Sequence, residues 1–282
     1  MSALPGAHAD LLAAAKGARK ARARRALAAI AADAIAPLSA AADRRLGFGD
    51  PRLDEAWSQA LCAGAVIETR PAAYDDLAAS VGFAFALAGR ARKARGGLIL
   101  AVERQGGAFD IGGLDGAGLR SFGLDPAALM IVRARGEEAL WACAQGLRAP
   151  GLAGVVALGL AEQLDLSAMR RLQRAARESG AILAWAAGPR AALFAPADAR
   201  LCVAAAPCRA ADPAALPVLL GARPSWRVRM TRLRAAAPVF EDLLVEWDHE
   251  TLCFRLDAAL ADRSRPPLDA RARPSLHRRQ RA

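Results

Sequence analysis

Between residues 64 and 206, short apolar runs alternate with longer stretches of helical character. "AVIET" (65–69), "GLILAVE" (97–103), "ALMIVRA" (128–134), "AGVVALGL" (153–160), "AILAWAA" (181–187) and "RLCVAAA" (200–206) have the length and aliphatic content of buried strands. Helices are predicted over 73–90, 136–148 and 165–180. In the second, Glu137 and Glu138 suit the positive N-terminus and Arg148 the C-terminus. In the third, Asp165 or Ser167 can cap the start and Gly180 the end. Strands without polar alternation need both faces covered, so the predicted fold is α/β with a mostly parallel, helix-covered sheet.

After a proline-rich link (207–224) the pattern changes. "SWRVRMTRLR" sets Trp226, Val228, Met230 and Leu233 against Arg227, Arg229, Arg232 and Arg234, as in a strand with one wet face. "DLLVEWDHETLCFRLD" reads as two strands joined at Asp248, His249 and Glu250, which makes the C-terminal part an antiparallel extension of the sheet. Trp141 and Trp185 fall in apolar periodic segments and are expected in the core, while the pattern leaves the side taken by Trp226 and Trp247 open. The predicted organisation is a basic N-terminal helix and linker (1–45), an α/β domain (46–262) and a basic tail (263–282). In the tail, Pro266, Pro267, Pro274 and the arginines leave too little apolar material to fold.

Composition changes this picture in two ways. At 282 residues and 54% hydrophobic, the chain can bury one sizeable core. Alanine, arginine and glycine are abundant while lysine is nearly absent, a bias typical of GC-rich coding, so alanine carries little information. The formal charge of +11 is confined to the ends. Residues 1–32 carry six basic side chains against Asp10, a net of +5, and residues 263–282 carry seven arginines against Asp269, a net of +6; the rest therefore sums to zero. Lys16, Lys20 and Arg24 recur at i, i+4, i+8 with Arg19 beside them, forming a charged helix face. Such ends suit a phosphate backbone or an acidic protein surface, or serve as solvated tails.

Five scattered cysteines without a CxxC pair, and three isolated histidines, offer neither a disulfide framework, a zinc site nor a histidine-based triad. The N-terminus lacks a signal-peptide core and the longest apolar run, near 77–89, is too short to cross a bilayer, so a cytoplasmic protein without a membrane partner is expected.

The first run, connector and helix have the layout of a nucleotide-binding unit, but the connector is "RPAAYDDLAAS". A phosphate loop needs glycines whose N–H groups converge on the anion, a lysine for the β/γ charge and a hydroxyl for Mg²⁺. Here Arg70, Tyr74, Asp75, Asp76 and Ser80 occupy that stretch, without glycine or lysine. A carboxylate in short-range contact with a phosphate costs on the order of a few kcal/mol at an effective dielectric near 20. "AGVVALGL" ends without the acidic residue that holds a Mg²⁺ shell. Glu103 is expected in a surface ion pair, and "GGLDGAGLR" (112–120), which misses the G-x-G-x-x-G register, is expected to be a loop.

"LGFGDPRLDEAW", "GLDPAALMIVRARGEEALWACAQGLR", "LDLSAMRRLQRAARESG", "PSWRVRMTRLR" and "LLVEWDHETLCFRLDAALADR", in this order between Leu46 and Arg263, resemble the ImuA family, RecA-like accessory proteins of the bacterial inducible-mutagenesis cassette. The resemblance implies a RecA-like core with a degenerate P-loop and no cofactor, expression in the SOS response to DNA damage, and translesion synthesis beside two partners. These are ImuB, a Y-family polymerase homologue, and an error-prone DnaE-type polymerase; RecA, single-stranded DNA and self-association are further candidates. Arg170, Arg174 and Arg177 share a basic helix face opposite Met169 and Leu172, and the connector "AGPRAALFAPADAR" carries Arg190 and Phe194. With Lys16, Arg19, Lys20, Arg24, Arg278, Arg279 and Arg281, these arginines are the candidate nucleic-acid or partner contacts, through phosphate contact and, for Phe194, stacking. Two other readings fit the same residues: a divergent ATPase using a pocket around Glu103, and a RecA-like cell-division inhibitor of the damage response.

Overall fold

The computed structural model describes residues 45–57, 60–105, 112–160, 165–207, 223–234 and 241–257, together with the exposed helical positions 17 and 21. Nine strands form one sheet: β1 (Val66–Pro71), β2 (Leu98–Arg104), β3 (Leu129–Ala134), β4 (Leu152–Leu158), β5 (Ile182–Ala186), β6 (Ala199–Ala205), β7 (Ser225–Leu233), β8 (Asp242–Asp248) and β9 (Cys253–Leu256). Their order is β3-β2-β4-β5-β1-β6-β7-β8-β9. The first six run parallel, and β7, β8 and β9 continue antiparallel from β6. The fold is therefore the expected α/β class, a mostly parallel, helix-covered sheet with an antiparallel C-terminal extension.

Among the described residues the sheet is accompanied by helices α1 (Pro51–Ala56), α2 (Leu77–Arg95), α3 (Gly116–Ser121), α4 (Glu137–Arg148) and α5 (Leu166–Ser179). α2 is buried almost all round because it lies between two clusters. Phe83, Ala86 and Leu87 pack with Trp226, Trp247 and Phe254, while Val81, Ala84, Phe85 and Ala88 pack with Ile99, Val156 and Leu124. A helix enclosed in this way needs no polar stripe. On the opposite face α4 and α5 cover β2, β4 and β5 through Cys143, Leu147, Met169 and Leu172. Burial of the Cys143 thiol pushes its pKa far up, so it behaves as a small apolar side chain.

One sequence expectation changes, and one open question is answered. The segment expected as a loop at 112–120 contains α3, because Asp115 caps it by accepting from Gly118 N–H at 2.7 Å and Leu119 is buried. Near the start of the domain, α1 is capped by Asp50 and started by Pro51. Gly49, at φ +94°, sits where an added Cβ would lie 2.6 Å from Cys253 Sγ, so glycine is required for the N-terminal segment to reach β9. Trp226 and Trp247, left open by the pattern, are both core residues, 3% and 0% exposed.

The two sheet edges differ. β9 is closed by the chain itself: Phe254 N–H donates to Phe48 O, Leu256 N–H donates to the Asp50 carboxylate, and Arg52 donates to Leu256 O. Burial raises the pKa of Asp50, but N–H donors from Leu256 and Arg52 outweigh it and hold the group below the ordinary carboxylate value. Covering an edge in this way removes a template for unwanted pairing.

Candidate functional site

β1 is buried along nearly its whole length and ends at Pro71, from which the chain turns through a short 3₁₀ segment, Tyr74–Asp76, into α2. This turn is where a phosphate-binding loop would stand. Asp76, 5% exposed, closes it from within. Its Oδ2 accepts from Ala73 N–H at 3.1 Å and its Oδ1 from Ala205 N–H, at the end of β6, at 2.9 Å. A carboxylate of the chain thus takes up backbone donors at the N-terminal end of α2, the place where an exogenous anion would be bound. Of the two carboxylates in this stretch, Asp75 is exposed, whereas Asp76 is an internal strut.

The remaining connector residues are also accounted for. Tyr74 is 64% exposed. Ser80 lies inside the first turns of α2, fully buried, and its hydroxyl and that of Thr69 on β1 have no hydrogen-bond partner. Arg70 turns away from the turn, donating to Glu68 at 2.9 Å and to the carbonyls of Pro189 and Ala191. No residue here can take the part of the phosphate-loop lysine, and a nucleotide does not fit this connector. Glu103 forms the expected ion pair, accepting from Arg133 Nε at 2.6 Å and from Leu114 N–H at 3.2 Å. Among the described residues, no group of three His, Cys, Asp or Glu side chains is placed to hold a metal.

The structure places one charged cluster that the sequence reading missed. Glu68, in the middle of β1 and wholly buried, accepts from Arg70, from Arg200 Nε on β6 at 2.6 Å and from Phe194 N–H at 3.2 Å. Arg200 also donates to Phe194 O. Together these bonds pin the β5–β6 connector to the sheet. A signal was present: Glu68 and Arg70, two apart in a strand, share a face. The second arginine lies 132 residues away in sequence.

On α5, Arg170 and Arg174 are exposed and Met169 and Leu172 buried, as expected; Arg177, also exposed, is tied to Asp198 at 3.0 Å. Arg190 is exposed. Phe194 is not a stacking platform: it is fully buried, its ring 4.9 Å from that of Trp185, which corrects the expectation that it reaches a ligand. Trp185 is core, and Trp141 is half-buried against it. Lys16, Arg19, Lys20, Arg24, Arg278, Arg279 and Arg281 lie outside the described residues.

At the far end of the sheet, Asp248 is held by Arg255 and, more loosely, by Arg223. Its burial raises the pKa, but the Thr251 N–H and Arg255 more than offset this, lowering it to about 2.

No protein-family model matches the chain, and no curated protein matches it. Among solved structures, it is similar to a KaiC-like protein from the hyperthermophilic archaeon Pyrococcus horikoshii, at a TM-score of 0.48 and 13% identity, over 77% of this chain and 100% of that one.

Proposed function

We propose that this chain is a non-catalytic, RecA-like adaptor of an error-prone translesion synthesis complex, acting in the SOS response as the ImuA family does. The observation that carries the loss of catalysis is the turn after β1, where the Asp76 carboxylate takes the place of a bound phosphate by accepting Ala73 and Ala205 N–H, with neither glycine nor lysine nearby. A scaffold whose fuel site is closed by its own side chain retains recognition as its task. The partners are the ImuB-type polymerase homologue and, in the same complex, the DnaE-type polymerase; RecA and single-stranded DNA are attracted by the basic ends. No helix among the described residues is long and apolar enough to cross a membrane, which fits action beside DNA in the cytoplasm.

Purified full-length protein is expected to co-elute with the ImuB-type homologue, to leave a fluorescent ATP analogue unbound at micromolar concentration, and to hydrolyse no ATP above background. Turnover or saturable nucleotide binding removes the non-catalytic part of the proposal; failure to co-elute removes the adaptor part.

A further inference from the structure

We infer that the outer face of α5, continued by the end of β7, is a docking surface for the phosphate backbone of double-stranded DNA. The inference rests on the adaptor reading above for placing the chain beside DNA. The apolar pattern of α5 turns Met169, Leu172, Ala175 and Ala176 into the core. It leaves Arg170, Arg171, Arg174 and Arg177 exposed, with Ser167 and Glu178. Arg170, Arg174 and Arg177 follow one another by four and three residues, so they lie on successive turns of one face, and Arg171 neighbours Arg174 at three residues. Tertiary structure extends the row. Arg177 and Arg234, which follows β7, donate to the same oxygen of Asp198 at 3.0 and 3.1 Å, which sets their guanidinium groups side by side. Arg232, near the end of β7, donates to the carbonyl of Ala197, the residue before Asp198.

One carboxylate cannot neutralise two guanidinium groups. Asp198 is 8% exposed and also accepts from Val66 N–H, while the side chains of Arg177 and Arg234 remain 43% and 55% exposed. Among the described residues no carboxylate pairs with Arg170, Arg171 or Arg174. The acidic groups that α5 itself brings are Glu178 and its cap Asp165, which accepts from Ala168 N–H. With Asp198, that sets three carboxylates against six arginines. Residues 33–262 sum to zero charge, so this surplus is a local concentration. Like charges held together on one face repel, and a polyanion laid across them relieves that repulsion.

The make-up of the face selects the occupant. Protein partners dock around apolar or aromatic anchors. The exposed positions of α5 from Ser167 to Glu178 hold none, and Leu166, 47% exposed, stands at the helix's first residue. Surfaces for single strands add aromatic platforms for unstacked bases. Tyr74, the large aromatic side chain most exposed among the described residues, follows β1, whereas the C-terminal end of α5 adjoins the chain before β1, where Gly64 N–H donates to Gly180 O. A duplex keeps its bases stacked inside and presents phosphates outside, which arginines recognise without further help. Along the roughly 10 Å of helix axis from Arg170 to Arg177, one strand of a duplex presents about three phosphates.

The test titrates full-length protein, unaltered or carrying Arg170→Ala with Arg174→Ala, into a fluorescently labelled duplex of mixed sequence at several salt concentrations, and reads anisotropy. Alanine is a strong helix former, so the thermal midpoint is expected to stay unchanged. The slope of log affinity against log salt is expected to flatten by about 2, and affinity at about 0.1 M salt to fall by about sixtyfold. Arg170→Lys with Arg174→Lys keeps the charge and is expected to bind within about threefold of the unaltered protein. Arg120→Ala with Arg135→Ala removes the same charge from exposed positions outside α5 and is expected to bind like the unaltered protein. Equal weakening by the two alanine pairs makes the effect one of net charge and overturns the surface. Unchanged duplex affinity in the α5 variant, or no duplex binding by the unaltered protein, overturns it as well, and co-elution with the ImuB-type homologue then leaves the adaptor reading standing. A larger loss for an oligothymidylate than for the duplex makes the face a single-strand surface and overturns the assignment to duplex. Loss of co-elution with duplex affinity intact makes it a protein surface and overturns that assignment too.

Discussion

Replacing Asp76 by alanine tests whether the turn after β1 is closed by the chain itself. The substitution removes both acceptors, leaving Ala73 N–H and Ala205 N–H without the carboxylate that receives them at 3.1 and 2.9 Å. A hydrogen bond to a charged group contributes roughly 1.5–3 kcal/mol when fully buried. Both amides lie in partly buried surroundings, where water can replace some of that, so the lower end applies to each. Adding about 0.5 kcal/mol for a carboxylate at the N-terminus of α2 gives an expected loss of about 3.5 kcal/mol. For a domain of this size that lowers the thermal midpoint by roughly 7–14 °C. Asp75→Ala, at the exposed neighbour, should stay within about 0.5 kcal/mol of the parent. Asp76→Asn should lose nearly as much as the alanine variant, since an amide keeps one acceptor but turns an N–H₂ toward the other donor. Urea unfolding at neutral pH, followed by circular dichroism, compares all three. If Asp76→Ala were no less stable than Asp75→Ala, the carboxylate would not be a strut and the account of the closed turn would fail.

Two further outcomes follow from the buried charges. Glu68→Ala leaves the guanidinium groups of Arg70 and Arg200, 15% and 13% exposed, without their carboxylate; urea unfolding should show a loss of about 3–5 kcal/mol, and limited proteolysis should cut faster at Arg190, because the β5–β6 connector is no longer pinned. Asp248, with its pKa lowered to about 2 from 3.8, stays ionised in the folded chain after the unfolded chain has taken up its proton. Its contribution, on the order of 2 kcal/mol, is therefore complete above about pH 4 and lost as pH falls toward 2. The difference in thermal midpoint between the parent and Asp248→Asn should shrink over that interval, and a constant difference would contradict the assignment.

The parallel strands were legible because a strand buried on both faces needs an unbroken apolar run, as at 153–160 and 181–187, and few other local structures do. That Arg70 to Ser80 carries neither glycine nor lysine is legible for a similar reason: the residue types a phosphate loop requires are contiguous. α3 was missed because Gly116 and Gly118 argue against a helix, an argument overruled by the Asp115 cap and the burial of Leu119. Phe194 was misplaced because its connector is full of small and charged residues; Trp185 and Glu68, from two other strands, draw it inside.

Periodicity, charge balance and missing residue types are properties of neighbouring positions, and from them the α/β class, the neutral centre between basic ends and the absence of a phosphate cradle follow directly. Strand order is another matter. It sets β6 beside β1, and so brings Arg200 to Glu68 and Ala205 to Asp76. Those meetings join residues more than a hundred positions apart, and the free energy that selects them comes from packing the whole sheet against its helices, which no local window of the chain contains.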